Sequence, residues 1–400
     1  MVSVCVYFQV HQPMRLRKFS VFDSGETASH YERYFNDKLN RDIFLKVARK
    51  CYFPTNALLL ELLRKHDGKF RISYSLTGVF MEQCKRYAPE LLDTFKELAD
   101  TGCVDFLNET YYHSLSSLFW DKREFLEQIR LHKKALRDIH AHSEVFRNTE
   151  AIFSNEIANV AEGLGYRGIV TEGLERFLEW RSPNYLYTIK GTRGKIKALL
   201  RNYKLSDDVA YRFSAKWWSE YPLTADKYAT WLSKAEGKCV NIFMDYETFG
   251  EHQWEDTGIF EFLRHLPGEI LKYDNLNFVT STELARGDAV GEIDVPYTIS
   301  WADIERDTSA WLGNDMQRTC FHQLQAMGEE VKRNGDKDAL HTWRLLQNSD
   351  HLYYLCTKCL ADGDVHKYFS PYGSPYDGFI NYMNILQDFK NRIADGNSKK

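Results

Sequence analysis

Val240-Asn241-Ile242-Phe243-Met244 is followed at once by Asp245-Tyr246-Glu247-Thr248-Phe249-Gly250-Glu251-His252. A short run of β-favouring residues that stops abruptly at acids and a histidine reads as a strand buried on both faces whose last residue opens onto a polar rim. Such strands belong to parallel sheets covered by helices, and in a βα barrel the reactive groups come from the C-terminal strand ends.

Working outward, the same grammar recurs. Residues 2–10 run into His11-Gln12-Pro13, residues 104–107 into Asn108-Glu109-Thr110-Tyr111-Tyr112-His113, and residues 145–147 into Asn148-Thr149-Glu150. Further strands are predicted at 70–76, 168–171, 198–203 and 277–279. Between them lie segments of helical period, such as 88–101 with Leu91, Leu92, Phe95 and Leu98 ahead of Gly102, and 155–164 ahead of Gly165. Thr224 and Asp256 read as helix N-caps. The pattern predicts an α/β fold, an incomplete TIM-like (β/α)7 barrel over residues 1–295. Beyond about residue 300 the β signal disappears, and residues 315–333, 336–360 and 377–394 read as amphipathic helices. A C-terminal helical bundle over 296–400 is therefore expected to contribute to the substrate cleft, with the last six residues unstructured.

Composition narrows the function. The 400 residues carry 52 basic and 56 acidic side chains, a formal charge of −4 spread along the chain, so neither a nucleic-acid groove nor a polybasic membrane patch is indicated. Aromatics make up 14% of the chain, and many sit in loops, where rings can stack on sugar faces or simply fill a large core. No apolar run approaches the ~20 residues a bilayer span needs, and the opening MVSVCVYFQVHQP lacks the features of a secretory signal and reads as the first strand. A soluble, cytoplasmic protein is expected. Cys5, Cys103 and Cys239 fall in apolar runs, as reduced thiols do, and the Cys356/Cys359 pair has no second pair at zinc-binding spacing.

The rim residues carry the chemistry. Cleaving a glycosidic bond needs one carboxyl group to attack or stabilise the anomeric carbon and a second to donate a proton to the leaving oxygen. Glu150 and Asp245 lie at the ends of different strands and fit those roles, accompanied by His11, His113, Arg147, His252 and Trp254. A single strand-end acid is more often a loop residue or a cap; acids at three strand ends among histidines are not. A divalent metal held by His11, Asp245 and His252 would use the same residue types, but no tight ligand spacing supports it. His113 also reads as a hydrogen-bonded structural histidine. Residues 298–314, containing Trp301 and Trp311, read as a binding loop, and Asp350-His351 as a contribution from the helical side.

In order, HQP, GCVDFLNETYYHSL, FRNTEAIFSNEI, MDYETFGEH and FVTSTELA resemble the five sequence regions of glycoside hydrolase family 57, closest to its α-amylase-like group. The resemblance covers nearly the whole chain. It implies retaining cleavage of α-1,4-linked glucan or malto-oligosaccharide through a glycosyl-enzyme intermediate, without a cofactor or metal. Glu150 is the implied nucleophile and Asp245 the implied general acid/base. His11, Glu109, His113, Glu247 and His252 become candidates for binding sugar or tuning the pair, with Trp254, Trp301, Trp311, Asp350 and His351 as further binding candidates and Glu283 as a weaker one. The family also includes 4-α-glucanotransferases, which would use the same residues. A metal-dependent carbohydrate hydrolase or deacetylase and a non-catalytic glucan-binding protein are the alternatives from other classes.

Overall fold

The computed structural model describes residues 1–23 and 29–398. Its centre is a curled, all-parallel sheet of eight strands: β1 (Val2–Val10), β2 (Ile72–Leu76), β3 (Val104–Phe106), β4 (Val145–Arg147), β5 (Gly168–Glu172), β6 (Lys197–Arg201), β7 (Cys239–Asp245) and β8 (Leu276–Phe278). Seven of them run in the order β3-β2-β1-β7-β6-β5-β4. The eighth is a wedge: β8 pairs with the first residues of β1, Val2 to Val4, while β2 takes the later ones, Tyr7 to Val10. At the opposite end of the strands a parallel bridge between Asn108 and Phe146 joins the margins of the sheet, Asn108 N–H donating to Val145 and Arg147 N–H to Asn108.

Alternation along each strand divides the side chains between two environments. Cys5, Tyr7, Val145, Val170, Leu199, Cys239 and Phe243 fill the barrel interior, with the Tyr7 and Phe243 rings edge to face at 5.3 Å. Val4, Phe8, Val10, Ile242 and Met244 face the surrounding helices. The short helix Ser281–Ala285 plugs the end where the strands begin: Ser281 N–H donates to Ser73 Oγ, and Ala285 packs where any side chain at Gly168 would have to stand. Only the end where the strands finish is left for polar chemistry.

After the barrel come helices Asp315–Asn334, Lys337–Leu346, Ser349–Tyr353, Leu360–Phe369 and Pro375–Ser398. The first is opened by a capping box between Asn314 and Gln317 and ends at Gly335 in the left-handed conformation. Their apolar faces do not form a separate core, because Trp311, Leu324, Trp343 and Phe389 belong to one cluster with Phe146, Ile157, Ile169 and Leu200 around β4 to β6. Among the described residues no helix is long and apolar enough to cross a membrane.

Three local expectations change. The stretch 336–360 is not one helix: Asn348 accepts the Asp350 N–H and caps a new turn, and residues 354–359, including Cys356 and Cys359, are irregular. Asp256 lies in a 3-10 turn, and the following helix Ile259–Ile270 starts from Gly258. The C-terminal helix continues through Ser398, with Lys399 and Lys400 outside the described residues.

Candidate active site

Glu150 and Asp245 both rise from the open end of the barrel, immediately after β4 and at the end of β7. The backbone at Glu150 is left-handed (φ 57°, ψ 26°), and His113, Ala151, Asp303 and Arg306 also have positive φ. Non-glycine residues in this region are costly and concentrate where a side chain must be aimed.

Both Glu150 oxygens are engaged. His113 Nε2 stands 3.0 Å from Oε1, Ser349 Oγ donates to the same oxygen at 3.4 Å, and Trp301 Nε1–H donates to Oε2 at 2.9 Å. Two guanidinium groups lie over the Trp301 ring, Arg147 at 4.8 Å and Arg201 at 5.8 Å from its centroid. Its loop is held down by Arg306, which donates to the Trp301 carbonyl and pairs with Glu172 and Asp207, the same two acids that engage Arg201.

The other nitrogen of His113, Nδ1, faces Glu109 Oε2 at 3.4 Å. Glu109 is fully buried; Gln9 Nε2 donates to its Oε1 at 3.1 Å, the Ser75 hydroxyl donates to the same oxygen, and Arg147 Nη1 approaches Oε2 at 3.9 Å. Burial alone would raise Glu109, but the His113 hydrogen bond and the charges of His113 and Arg147 take it down to about 2. For His113 burial works toward the neutral form and is overcome by its two carboxylates, which raise it to about 9. Glu150 likewise feels burial upward, yet His113 and Arg147 bring it below its ordinary value. It is ionised at neutral pH.

Asp245 is in the opposite situation. Among the described residues no side chain donates a hydrogen bond to its carboxyl group, and burial followed by the negative charge of Glu150 pushes it up to about 6, against the opposing pull of Arg147, His113 and Arg201. Glu247, two residues on, goes further. Burial and the nearby Asp245 raise it to about 8, and it sits beneath the loop with the Tyr52 hydroxyl on Oε1.

The remaining expected residues divide. His11 stacks on His113 with ring centroids 3.9 Å apart. The Asp350 carboxylate only accepts, so His11 gives it the Nε2 proton across 3.1 Å, and the Nδ1 of the neutral ring accepts from the Thr77 hydroxyl at 2.9 Å. Burial and the neighbouring His113 charge keep His11 neutral, and the two histidines hold Asp350 at about 2. His252 touches Phe369, and Trp254 is exposed with Lys50 over its ring. Glu109, His113 and Glu247 are buried under the rim, where their polar atoms meet other side chains. Trp311 and His351, 1% and 2% exposed, lie in the helical core, where their rings pack against Tyr353 and Tyr382. Glu283 is the third residue of the capping box begun by Thr280 and pairs with Arg71, on the plugged side of the barrel.

His11, Asp245 and His252 do not converge as metal ligands. Among the described residues the only cluster with ligand-type geometry is Asp303, Glu305 and Asp362, and Lys358 Nζ already occupies it, 2.7 Å from Asp303 and 2.6 Å from Glu305.

Several rim residues escape sequence reasoning. Tyr211, 65% exposed, stands near the acid: the surrounding protein and then the Asp245 charge raise its phenol. Tyr211 sits in no motif. Tyr353, by contrast, belongs with Tyr354 to the stretch after Asp350-His351 that reads as a wall of the cleft on the helical side; it is stacked on His366 at 3.7 Å and feels burial, Asp303 and Glu150. Ser349 was hidden by the apparent continuity of the helix, although Asn348-Ser349-Asp350 has the composition of a cap. Glu172 is an acid at a strand end and could have been singled out on that ground.

The sequence pattern of the family described as Glycosyl hydrolase family 57 matches residues 5–298. A protein of Methanocaldococcus jannaschii named "Putative alpha-amylase" is 50% identical over 400 residues, covering 97% of this chain and 84% of that protein. Two solved structures share the fold at low identity. A branching enzyme from Thermococcus kodakaraensis gives a TM-score of 0.70 at 13% identity, covering 98% of this chain and 90% of its own. A 4-alpha-glucanotransferase from Thermococcus litoralis gives 0.66 at 14%, covering 88% of this chain and 56% of its own, so this chain spans little more than half of that protein.

Proposed function

The chain belongs to glycosyl hydrolase family 57 and is a glycoside hydrolase, and from that premise we propose that it cleaves α-1,4-glucosidic bonds in α-glucans with retention, Glu150 acting as nucleophile and Asp245 as general acid and base. The observation that carries the reading is the opposite treatment of two carboxyl groups on one rim, the first held ionised and the second raised to about 6 by burial and by the first. The activities named for the relatives support an α-glucan substrate.

In the first step a Glu150 oxygen forms a bond to the anomeric carbon while the glycosidic C–O bond breaks, and the departing oxygen takes the Asp245 proton. Esterification removes the negative charge from Glu150 and with it part of what raises Asp245. The Asp245 carboxylate is then suited to take a proton from the incoming water, whose oxygen displaces Glu150 from the opposite face and restores the starting configuration. Residues 1–295 supply the carboxyl groups, and residues 296–400 supply Trp301, Ser349 and Asp350 as one wall of the cleft. Eight free cysteines, all buried except Cys359, support a reducing, cytoplasmic setting.

Incubating wild type and Glu150→Gln with maltoheptaose in the presence of chelator tests the proposal by chromatography. Shorter products from wild type alone are expected. Longer products beside them would make the enzyme a glucanotransferase, and turnover that requires added metal would overturn the carboxylate mechanism.

A further inference from the structure

The chain Glu109–His113–Glu150 is built more heavily than a sugar contact requires. His113 is 3% exposed, so it cannot be reached from the cleft, yet both ring nitrogens point at carboxylate oxygens. A carboxylate only accepts, so an imidazole satisfied by one on each side carries two protons and a positive charge. We propose that His113, gripped from below by Glu109, is the positioning residue of the nucleophile, a permanently doubly protonated imidazole that acts on the reaction through Glu150. The inference rests on the reading of Glu150 as nucleophile and assigns the buried pair beneath it a role that reading does not include.

The groups around the ring fit this charge state. Glu109 at the end of β3 and Glu150 after β4 supply two negative charges in direct contact. Arg147 on β4 opposes the imidazolium, but its three guanidinium nitrogens have no hydrogen-bond partner among the described residues, and its flat face lies against Trp301. His11 after β1 is stacked directly on the ring and is itself neutral, which avoids two cations in contact. Asp350 on the helix Ser349–Tyr353 and Asp245 on β7 both lie within range of the His113 charge. His132 faces Glu109 from the other side, accepting its backbone N–H at 3.2 Å.

This charge has a consequence for the cycle. When Glu150 becomes an ester it ceases to be an anion, and an imidazolium held by it alone would then lose its reason to stay protonated. Glu109 prevents that, being buried and fixed by Gln9 and Ser75. The cation therefore persists through the intermediate and is in place when Glu150 departs as a carboxylate in the second step. A charge-assisted hydrogen bond is roughly twice as strong as a neutral one, so the second step, in which Glu150 regains its charge as the leaving group, gains from it, while before the first step the same bond holds Glu150 ionised and aimed.

Glu109→Gln separates charge from shape. Its amide oxygen can still accept from Gln9 and Ser75, its NH2 turns toward His113 Nδ1, and the ring becomes neutral while keeping the Nε2–H that reaches Glu150. Nitrogen-15 NMR of histidine-labelled protein, with the His113 signals identified by their loss in His113→Gln, should show both ring nitrogens protonated in wild type from pH 5 to 8 and only Nε2 protonated in Glu109→Gln. In the same variant kcat should fall about 100-fold, the scale of losing one group that orients a reactive one, with KM within about threefold. The acidic limb of kcat/KM should move to higher pH, because Glu150 has lost its cationic neighbour. A wild-type His113 that is neutral at pH 7, or an acidic limb that stays in place in Glu109→Gln, would overturn the proposal. Should the variant not fold, the wild-type spectrum decides. The spectrum needs no turnover, so failure to find a substrate and failure of the imidazolium are distinguishable.

Discussion

Glu150 stands on a floor of fixed charge, with His113 and Trp301 on its oxygens and Glu109 and Arg147 behind them. Asp245, on a strand of the same barrel, has no side-chain hydrogen bond among the described residues, and the acid beyond it, Glu247, is itself raised to about 8. Two carboxyl groups of similar burial thus end on opposite sides of their ordinary range. The difference lies in what faces the charged form: paired donors and cations in direct contact at one, burial without a side-chain donor and a like charge at the other. It teaches that the division of labour is set by the second ring of residues, which is where it can be broken.

Removing either member should have the largest effect. Glu150→Gln or Asp245→Asn should lower kcat on maltoheptaose by about 10^4-fold or more, as loss of a covalent or proton-transfer partner does, with substrate binding retained by calorimetry. Trp301→Phe removes the indole N–H that donates to Glu150, together with part of the ring that lies against Arg147 and Arg201, and should cost about 10- to 100-fold in kcat with a small change in KM. The acidic limb of its pH profile should move upward, since Glu150 loses a donor to its ionised form.

The pH profile probes the Asp245 side. The proposed mechanism needs Glu150 ionised and Asp245 protonated, so kcat/KM should decline as pH rises through about 6. In a variant where Trp301→Phe moves the acidic limb, this basic limb should stay within a few tenths of a unit. The smallest effect is on stability. A carboxyl group whose folded value is raised is most destabilising once it is ionised, above about pH 6. Asp245→Asn should therefore stabilise the protein against urea by about 1–3 kcal/mol at pH 8 and by much less at pH 4. Equal gains at both pH values would mean that charge is not the cause.

The barrel was largely legible in the sequence because parallel strands are continuous apolar runs, and strand ends such as Arg147 and Asp245 stand out against them. Glu150 and Asp245 could be singled out for the same reason. Periodicity could not show that the stretch 336–360 breaks at Asn348, since apolar spacing continues across a capped restart; that break is what carries Ser349 and Asp350 to Glu150 and His11. Trp301 and Trp311 look equivalent in a loop rich in aromatics, and only packing separates the indole that touches Glu150 from the one 1% exposed in the core. For Glu109 the sequence leaves open whether it binds sugar or tunes the pair; its fully buried position is a property of the closed sheet, through the bridge at Asn108.

The account rests on Glu150 forming a covalent bond to the sugar. The most direct measurement is to incubate wild type and Asp245→Asn with a 5-fluoroglucosyl fluoride, which forms the intermediate faster than water removes it, and to map the adduct by mass spectrometry of proteolytic peptides. One glycosyl group on Glu150, absent from Glu150→Gln, is the predicted result. An adduct on another carboxylate, or none from an enzyme that turns over maltoheptaose, would contradict it.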